Sequence, residues 1–278
     1  MIRVLETGIY NTVQDRGRFG FAKMGVTVSG PMDAHSADFA KALLDSDEQD
    51  AVVEITLGQG KFEFTQPTVF CLTGGDFSPE LDGVKLKMNR VYQAIAHAVL
   101  SFGKRKYGAR TYLAVEGGIQ SEKILNSRSF SKGITAVRLE KGDKLDVLEQ
   151  VKTPKKRYSR ITMPKEHFTS EDLKASPGPE FDQLNDRQKE RLFQKLTVTR
   201  DNNRVGYQLN ELIENELDSI LTSSVLPGTV QLTPSGKVIV LMKDCQVTGG
   251  YPRVLQLSDK AISRLSQKVA GEKVRFIL

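Results

Sequence analysis

Short runs of alternating apolar and polar residues dominate this chain. Val52-Val53-Glu54-Ile55-Thr56-Leu57, Lys61-Phe62-Glu63-Phe64, Thr68-Val69-Phe70-Cys71-Leu72, Thr111-Tyr112-Leu113-Ala114-Val115 and Lys237-Val238-Ile239-Val240-Leu241-Met242 are rich in β-branched or aromatic residues. Each is bounded by Gly, Pro or Asp, the pattern of strands in barrels and sandwiches. The spacing predicts a mainly β fold with a few helices. Helical periodicity is confined to three stretches. Ser36 to Leu44 places Phe39, Ala40, Leu43 and Leu44 on one stripe behind the caps Asp33 or Ser36. Asn185 to Lys195 carries Leu192 and Phe193 on an otherwise charged surface, and Leu257 to Val269 follows the candidate cap Ser258. Strands and helices do not alternate, so the helices are expected beside the sheets, and a Rossmann arrangement has little support.

The chain also repeats itself. Asp15-Arg16-Gly17-Arg18-Phe19-Gly20-Phe21 is echoed by Asp201-Asn202-Asn203-Arg204-Val205-Gly206-Tyr207, both reading D-x-x-R-x-G-aromatic. In the same order, Thr73-Gly74-Gly75 is answered by Thr248-Gly249-Gly250, and Gly142-Asp143-Lys144-Leu145 by Gly271-Glu272-Lys273-Val274. A long period with so few copies implies two related lobes, because a solenoid needs at least about three short units to bury a continuous core. The expectation is a pseudo-twofold duplication: an N-terminal lobe over 1–150, a basic linker over 151–170 and a C-terminal lobe over 171–278. The first copy carries an insertion within 76–141 that includes Ser127-Arg128-Ser129, so one composite site is expected rather than two equal ones.

Bulk composition narrows the function. At 278 residues, 39% hydrophobic and 27% charged, this is a soluble globular chain with room for two cores. No apolar run approaches the roughly 18–20 residues of a membrane span, and Glu6 interrupts the start where a signal peptide would be apolar. A cytoplasmic protein without membrane contact is the expectation. Cys71 and Cys245, with His35, His97 and His167, provide no metal-ligand spacing, so a resident zinc is not expected. Much of the +6 net charge sits in the run Lys152 to Arg160, which reads as a solvated linker rather than a nucleic-acid surface.

Several clusters carry candidate chemistry. Gln14, Asp15 and Arg18 set an amide, a carboxylate and a guanidinium beside glycine. That suits a small anionic or amide substrate, or equally a turn in which Asp15 caps and pairs with Arg18. Ser29-Gly30-Pro31-Met32-Asp33 reads as an anion site before a helix or as ordinary helix initiation. Gly74, Gly249 and Gly250 let backbone amides approach a ligand, or simply make tight turns. No Gly-x-x-x-x-Gly-Lys-[Ser/Thr] occurs, so any nucleotide is bound without a P-loop. Cys71 reads as core, and Cys245 is the better thiol candidate. His35 beside Asp33 reads as an acid–base candidate or as a surface histidine. Asp244, at a strand end before Thr-Gly-Gly, is placed to hold Mg²⁺ or orient an amide.

Taken together, Thr12 to Arg18, Ser29 to Asp33, Leu113 to Ile119, Pro227-Gly228-Thr229-Val230-Gln231 and Asp244 to Pro252 resemble the KipI-antagonist or allophanate-hydrolase-subunit-2 family over nearly the whole chain. They are similar also to the second half of the carboxyltransferase domain of urea carboxylase. The resemblance implies two cyclophilin-like β-barrel lobes, a KipI-like 5-oxoprolinase partner and a third protein of the LamB/YcsF type. It further implies an assembly in which ATP, with Mg²⁺, drives the opening of 5-oxoproline to glutamate. On that reading Asp15, Arg18, Asp33, Arg204 and Asp244 form the expected catalytic set. The arginines would face phosphate charge, and the aspartates would hold Mg²⁺. Gln14, Ser29, Gly30, Gly74, Gln231, Thr248, Gly249, Gly250 and Tyr251 form the expected substrate-binding set. The chain departs from the family pattern at Lys41, at Asp45-Ser46, at Val247 and at Gln208. No Met-Lys-Met biotin-attachment signature is present. The alternatives are a carboxyltransferase component acting on urea or another small amide, and a module that binds a KipI-type kinase inhibitor.

Overall fold

The structure, a computed structural model, describes residues 1–148 and 163–278. It is mainly β with four α-helices among the described residues, in line with the alternation in the sequence. The chain divides into two compact units, Met1–Arg18 with Asp33–Phe168, and Phe19–Met32 with Thr169–Leu278. Phe19–Met32 therefore groups with the second unit rather than the N-terminal lobe, since Met32 lies in the second unit's core. Residues 163–168, expected in the linker, belong to the first unit, where Phe168 packs on Tyr107. The basic run from Lys152 to Arg160 lies outside the described residues.

The first unit holds β1 (Ile2–Glu6), β2 (Asn11–Gln14), α1 (Ala34–Leu44), β3 (Val52–Thr56), β4 (Lys61–Phe64), β5 (Thr68–Asp76), β6 (Glu80–Leu81), β7 (Val84–Lys85), β8 (Val91–Ala94), β9 (Ala98–Ser101), β10 (Tyr107–Val115) and β11 (Lys144–Leu145). They form a six-stranded sheet, β11-β1-β4-β9-β6-β7, and a five-stranded sheet, β2-β3-β10-β5-β8. Alternation decides which face each side chain takes. Val53, Ile55, Phe70, Leu72, Leu113 and Val115 of the five-stranded sheet join Ile2, Val4, Phe62 and Phe64 of the other in one core. The intervening Val52, Cys71, Tyr112 and Ala114 turn to the opposite face and pack on Ala37, Ala40 and Leu44 of α1. Because both faces are covered, β3, β5 and β10 read as almost continuous apolar runs. The Asp33 carboxylate accepts from Ser36 N at 3.0 Å and caps α1, as its sequence position predicts.

The short helix α2 (Glu166–Thr169) precedes the strands and helices of the second unit. These are β12 (Asp172–Pro177), α3 (Asp186–Leu192), β13 (Leu196–Asn202), β14 (Gly206–Leu209), β15 (Ser223–Ser224), β16 (Thr229–Leu232), β17 (Val238–Leu241), β18 (Thr248–Gly249), β19 (Arg253–Leu257), α4 (Asp259–Ser266) and β20 (Lys273–Ile277). Seven strands close into a barrel in the order β12-β19-β16-β17-β14-β13-β20, and β15 and β18 form a separate two-stranded ribbon. The expected cap Ser258 is present, and Asn185 caps the other helix. Asn185 and Gln188 form a reciprocal capping box on α3, and Ser258 accepts from Ala261 N on α4.

One element of the internal repeat is reproduced bond for bond. Val4 N donates to Asp143 O at 2.9 Å, and Gly142 N donates to Val4 O at 2.8 Å. In the second unit Val198 N donates to Glu272 O at 2.9 Å, and Gly271 N donates to Val198 O at 2.8 Å. The following residues pair alike, Ile2 with Leu145 and Leu196 with Val274. The match identifies Gly142-Asp143-Lys144-Leu145 and Gly271-Glu272-Lys273-Val274 as the same structural turn.

Phe70 is fully buried and stacks on Phe64 with ring centroids 4.8 Å apart. Phe70→Ala is expected to destabilise the first unit by about 3–5 kcal/mol, read from urea denaturation followed by circular dichroism.

Candidate functional site

The residues singled out by sequence fall into separate hydrogen-bonded clusters. In the first unit, the buried Asp15 carboxylate accepts from Gly17 N at 2.9 Å, Ser127 Oγ at 2.5 Å, Arg128 N at 2.6 Å and Ser129 Oγ at 2.8 Å. Burial alone would raise its pKa. The donors from Ser127, Arg128, Gly17 and Ser129 outweigh that effect and hold it below the ordinary 3.8. Arg18, 1% exposed, donates to the carbonyls of Ile124 at 3.1 Å and Ser129 at 2.5 Å. Gln14 Nε2 donates to Thr12 Oγ1 at 3.1 Å, and more distantly to Phe130 O. Asp15 and Arg18 thus do not pair with each other. Both clasp the 124–130 loop, part of the insertion that distinguishes the first copy from the second. In the second copy Asp201 is exposed, and only Arg204 is buried like its counterpart.

A second cluster lies beneath the N-terminus of α1. Asp33 Oδ2 is 2.8 Å from His167 Nε2 and accepts from Ser36 Oγ at 2.5 Å. Asp33 N donates to Tyr112 Oη at 2.7 Å, and Tyr112 Oη donates to Glu54 Oε2 at 2.8 Å. Burial first, and then the carboxylates of Glu54 and Asp33, push the phenol pKa well up, so Tyr112 stays neutral and links the Asp33 backbone N–H to the Glu54 carboxylate. The histidine that serves Asp33 is therefore His167. His35 is exposed and makes a tilted ring contact with His167. Nothing local in the sequence links positions 33 and 167, and Tyr112 and Glu54 read there as ordinary strand residues.

In the second unit, Arg204 grips Asp244 with both arms, Nε to Oδ2 at 2.7 Å and Nη2 to Oδ1 at 2.9 Å. Arg204 Nη2 also donates to Gly30 O at 2.7 Å, and Ser29 Oγ donates to Asp244 Oδ1 at 2.6 Å. Ser29 has φ 60°, a left-handed conformation rare for non-glycine residues, and this clasp holds it. Arg18, Arg204, Asp15, Asp33 and Asp244, the expected catalytic set, thus lie in three separate clusters. Each of these groups is committed to protein partners, and no group of His, Cys, Asp or Glu among the described residues is arranged to hold a metal.

Glycine placement separates the two Thr-Gly-Gly copies. Thr73-Gly74-Gly75 lies inside β5 rather than after it. Gly74 has φ 83°, and a Cβ there would sit 2.4 Å from Arg110 O, so glycine admits the close strand approach beside the β5–β10 irregularity. That is a packing role. Thr248 and Gly249 instead form the ribbon with Ser224 and Ser223, and Thr248 and Tyr251 are exposed. Gln231 is buried against this ribbon, its Nε2 2.8 Å from where a Gly249 Cβ would stand. Of all the candidates, Thr248, Gly249, Gly250 and Tyr251 are the set that combines solvent access with hydroxyl and backbone groups.

Cys71 is core and donates to Ala40 O. Cys245 is buried, and burial together with the adjacent Asp244 pushes its thiol up to about 12, so it is not a nucleophile. Lys41 is also buried, its Nζ donating to Glu48 O at 2.6 Å and pairing with Asp38 at 2.8 Å. That departure from the family pattern closes the C-terminal end of α1. Gln208 lies on β14 opposite Ile239.

A family model described as "Carboxyltransferase domain, subdomain A and B" matches residues 24–278, and the chain belongs to that family. Within it, the chain is 31% identical over 286 aligned positions to the C subunit of 5-oxoprolinase from Escherichia coli (strain K12), covering 100% of this chain and 91% of the relative. The solved structure of TTHA0988 superposes with a TM-score of 0.88 at 26% identity, covering 100% of this chain but 55% of that one. The K. lactis urea amidolyase superposes with a TM-score of 0.87 at 25% identity, over 99% of this chain and 18% of the enzyme.

The lowered Asp15 carboxylate contributes stability that is present above its ordinary value and lost as pH falls through the lower folded value. Asp15→Asn is expected to flatten the acid limb of the stability profile of the first unit below about pH 4 and to cost roughly 1.5–3 kcal/mol at neutral pH, measured by denaturation across a pH series. Both cysteines are expected to resist a thiol-specific chromogenic reagent at pH 8 in the native protein and to react promptly in denaturant. A native thiol reacting at the rate of free cysteine would contradict the burial of Cys245.

Proposed function

We propose that this chain is one subunit of an ATP-dependent 5-oxoprolinase. It would act with KipI-like and LamB/YcsF-like subunits to convert 5-oxo-L-proline to L-glutamate. The observation that carries the reading is the similarity to the 5-oxoprolinase C subunit across the full length of this chain and nearly all of the relative. A lactam carbonyl is a poor electrophile, and activation by ATP makes its hydrolysis feasible. ATP and Mg²⁺ would be used at the level of the assembly.

This chain's own contribution is then recognition and orientation. A small cyclic amide presents one N–H donor, one carbonyl acceptor and a carboxylate. Thr248 hydroxyl and the backbone of Gly249 and Gly250 offer complementary groups, with the Tyr251 ring as an apolar flank and the buried Gln231 beneath them. The chain is expected to be inactive alone. A second reading, a carboxyltransferase component acting on urea or a related amide, is supported by the likeness to urea amidolyase.

The deciding experiment is ATP-dependent glutamate release from 5-oxoproline by the three proteins together, with each omitted in turn. Loss of turnover on omitting this chain is expected. Turnover that persists without it, or an assembly active only on urea with a carboxylated biotin donor, would overturn the proposal.

A further inference from the structure

The ribbon that carries Thr248 and Gly249 has only two residues in each strand and stands outside the barrel sheet. So short a ribbon is not stable by itself. Its order must come from what grips it. One side chain does so, Arg253 at the start of β19, opposite Gln231 at a register shift between β16 and β19. Arg253 Nη1 donates to Ser223 Oγ at 2.5 Å and to Ser224 O at 3.2 Å, reaching both residues of β15. The guanidinium is aimed by Glu180. Glu180 Oε1 accepts from Nη2 at 2.8 Å, and Oε2 accepts from Nε at 3.0 Å and from Arg253 N at 2.8 Å. The turn bearing Glu180 is itself fastened to β19, through Gly178 N donating to Val254 O at 3.0 Å and Glu180 N donating to Arg253 O at 3.2 Å.

The pair is geometrically complete. Glu180 is 8% exposed, and a planar guanidinium meets its carboxylate in a two-point fork that fixes direction as well as distance. A fork of this kind leaves one arm of the arginine pointing where the carboxylate dictates, and here that arm holds β15. On the other side of the ribbon, Ile220 N donates to Gly250 O at 2.9 Å, so the 220–224 segment and the 248–250 segment are ordered together.

We infer that Glu180 and Arg253 are positioning residues: through Ser223 and Ser224 they hold the Thr248–Tyr251 segment in the geometry that receives the amide substrate. The inference rests on the reading of that segment proposed above. Neither side chain touches substrate in this scheme. Glu180 directs Arg253, Arg253 holds β15, and β15 holds β18.

The test compares wild type with Glu180→Gln and Arg253→Lys in two measurements. The first is amide hydrogen exchange of the isolated chain, which is independent of any assignment of activity. Exchange at 220–225 and 247–251 is expected to accelerate about tenfold or more in both variants, with the β16, β17 and β14 amides unchanged. The second is 5-oxoproline turnover by the reconstituted assembly, where KM is expected to rise about fivefold or more with a smaller change in kcat. Unchanged exchange in the ribbon, or equal acceleration throughout the barrel, would overturn the latch. A loosened ribbon with wild-type KM would overturn its role in receiving substrate. Absence of turnover from the wild-type assembly would instead count against the proposed function, and the exchange result would still decide the latch.

Discussion

Removing a charge from water costs several kcal/mol unless polar partners replace the lost hydration, and this chain buries several charged side chains. Asp15, Arg18, Asp33, Glu54, Arg110 and Arg204 are all nearly inaccessible. Each is bound to specific donors, acceptors or opposite charges, and those bonds join segments far apart in sequence. Asp15 and Arg18 fix the 124–130 loop, Asp33 ties the start of α1 to His167, and Arg204 with Asp244 holds Ser29 and Gly30 in their left-handed turn. The irregular connections of a mainly β protein are here organised by paired ions rather than by apolar contact.

The same constraint separates structure from ligand recognition. A guanidinium gripped at two points by a carboxylate, or a carboxylate surrounded by backbone and hydroxyl donors, is fixed in place by its protein partners. The residue types that look most catalytic in the sequence are therefore the ones the fold uses. What remains accessible is more modest: hydroxyl and backbone groups around a two-strand ribbon.

Duplication has preserved some devices and redirected others. The turn at Gly142-Asp143 and that at Gly271-Glu272 make the same backbone bonds to equivalent valines, because a turn that closes two strands depends on backbone conformation and tolerates varied side chains. The D-x-x-R element has diverged: Arg18 faces main-chain carbonyls and Arg204 faces a carboxylate. The Thr-Gly-Gly element has diverged further, into a buried strand in one unit and an accessible ribbon in the other.

Alternation and capping are local properties, and they were sufficient to place the main strands, the Asp33 and Ser258 caps and the mainly β class. The repeat, read as residue order alone, located the matched turns. Partnership was not legible, because His167 lies 134 positions from Asp33, Asp244 lies 215 from Ser29 and Arg253 lies 73 from Glu180. Nor does a local pattern say which body a loop joins, and Phe19–Met32 groups with the second unit because Met32 finds its core there. The sequence by itself determined which residues form strands, caps and turns, since those depend on neighbours along the chain. Only the tertiary structure decided which charges are spent on holding the fold and which polar groups stay open to a ligand, since pairing and burial are set by distance in space.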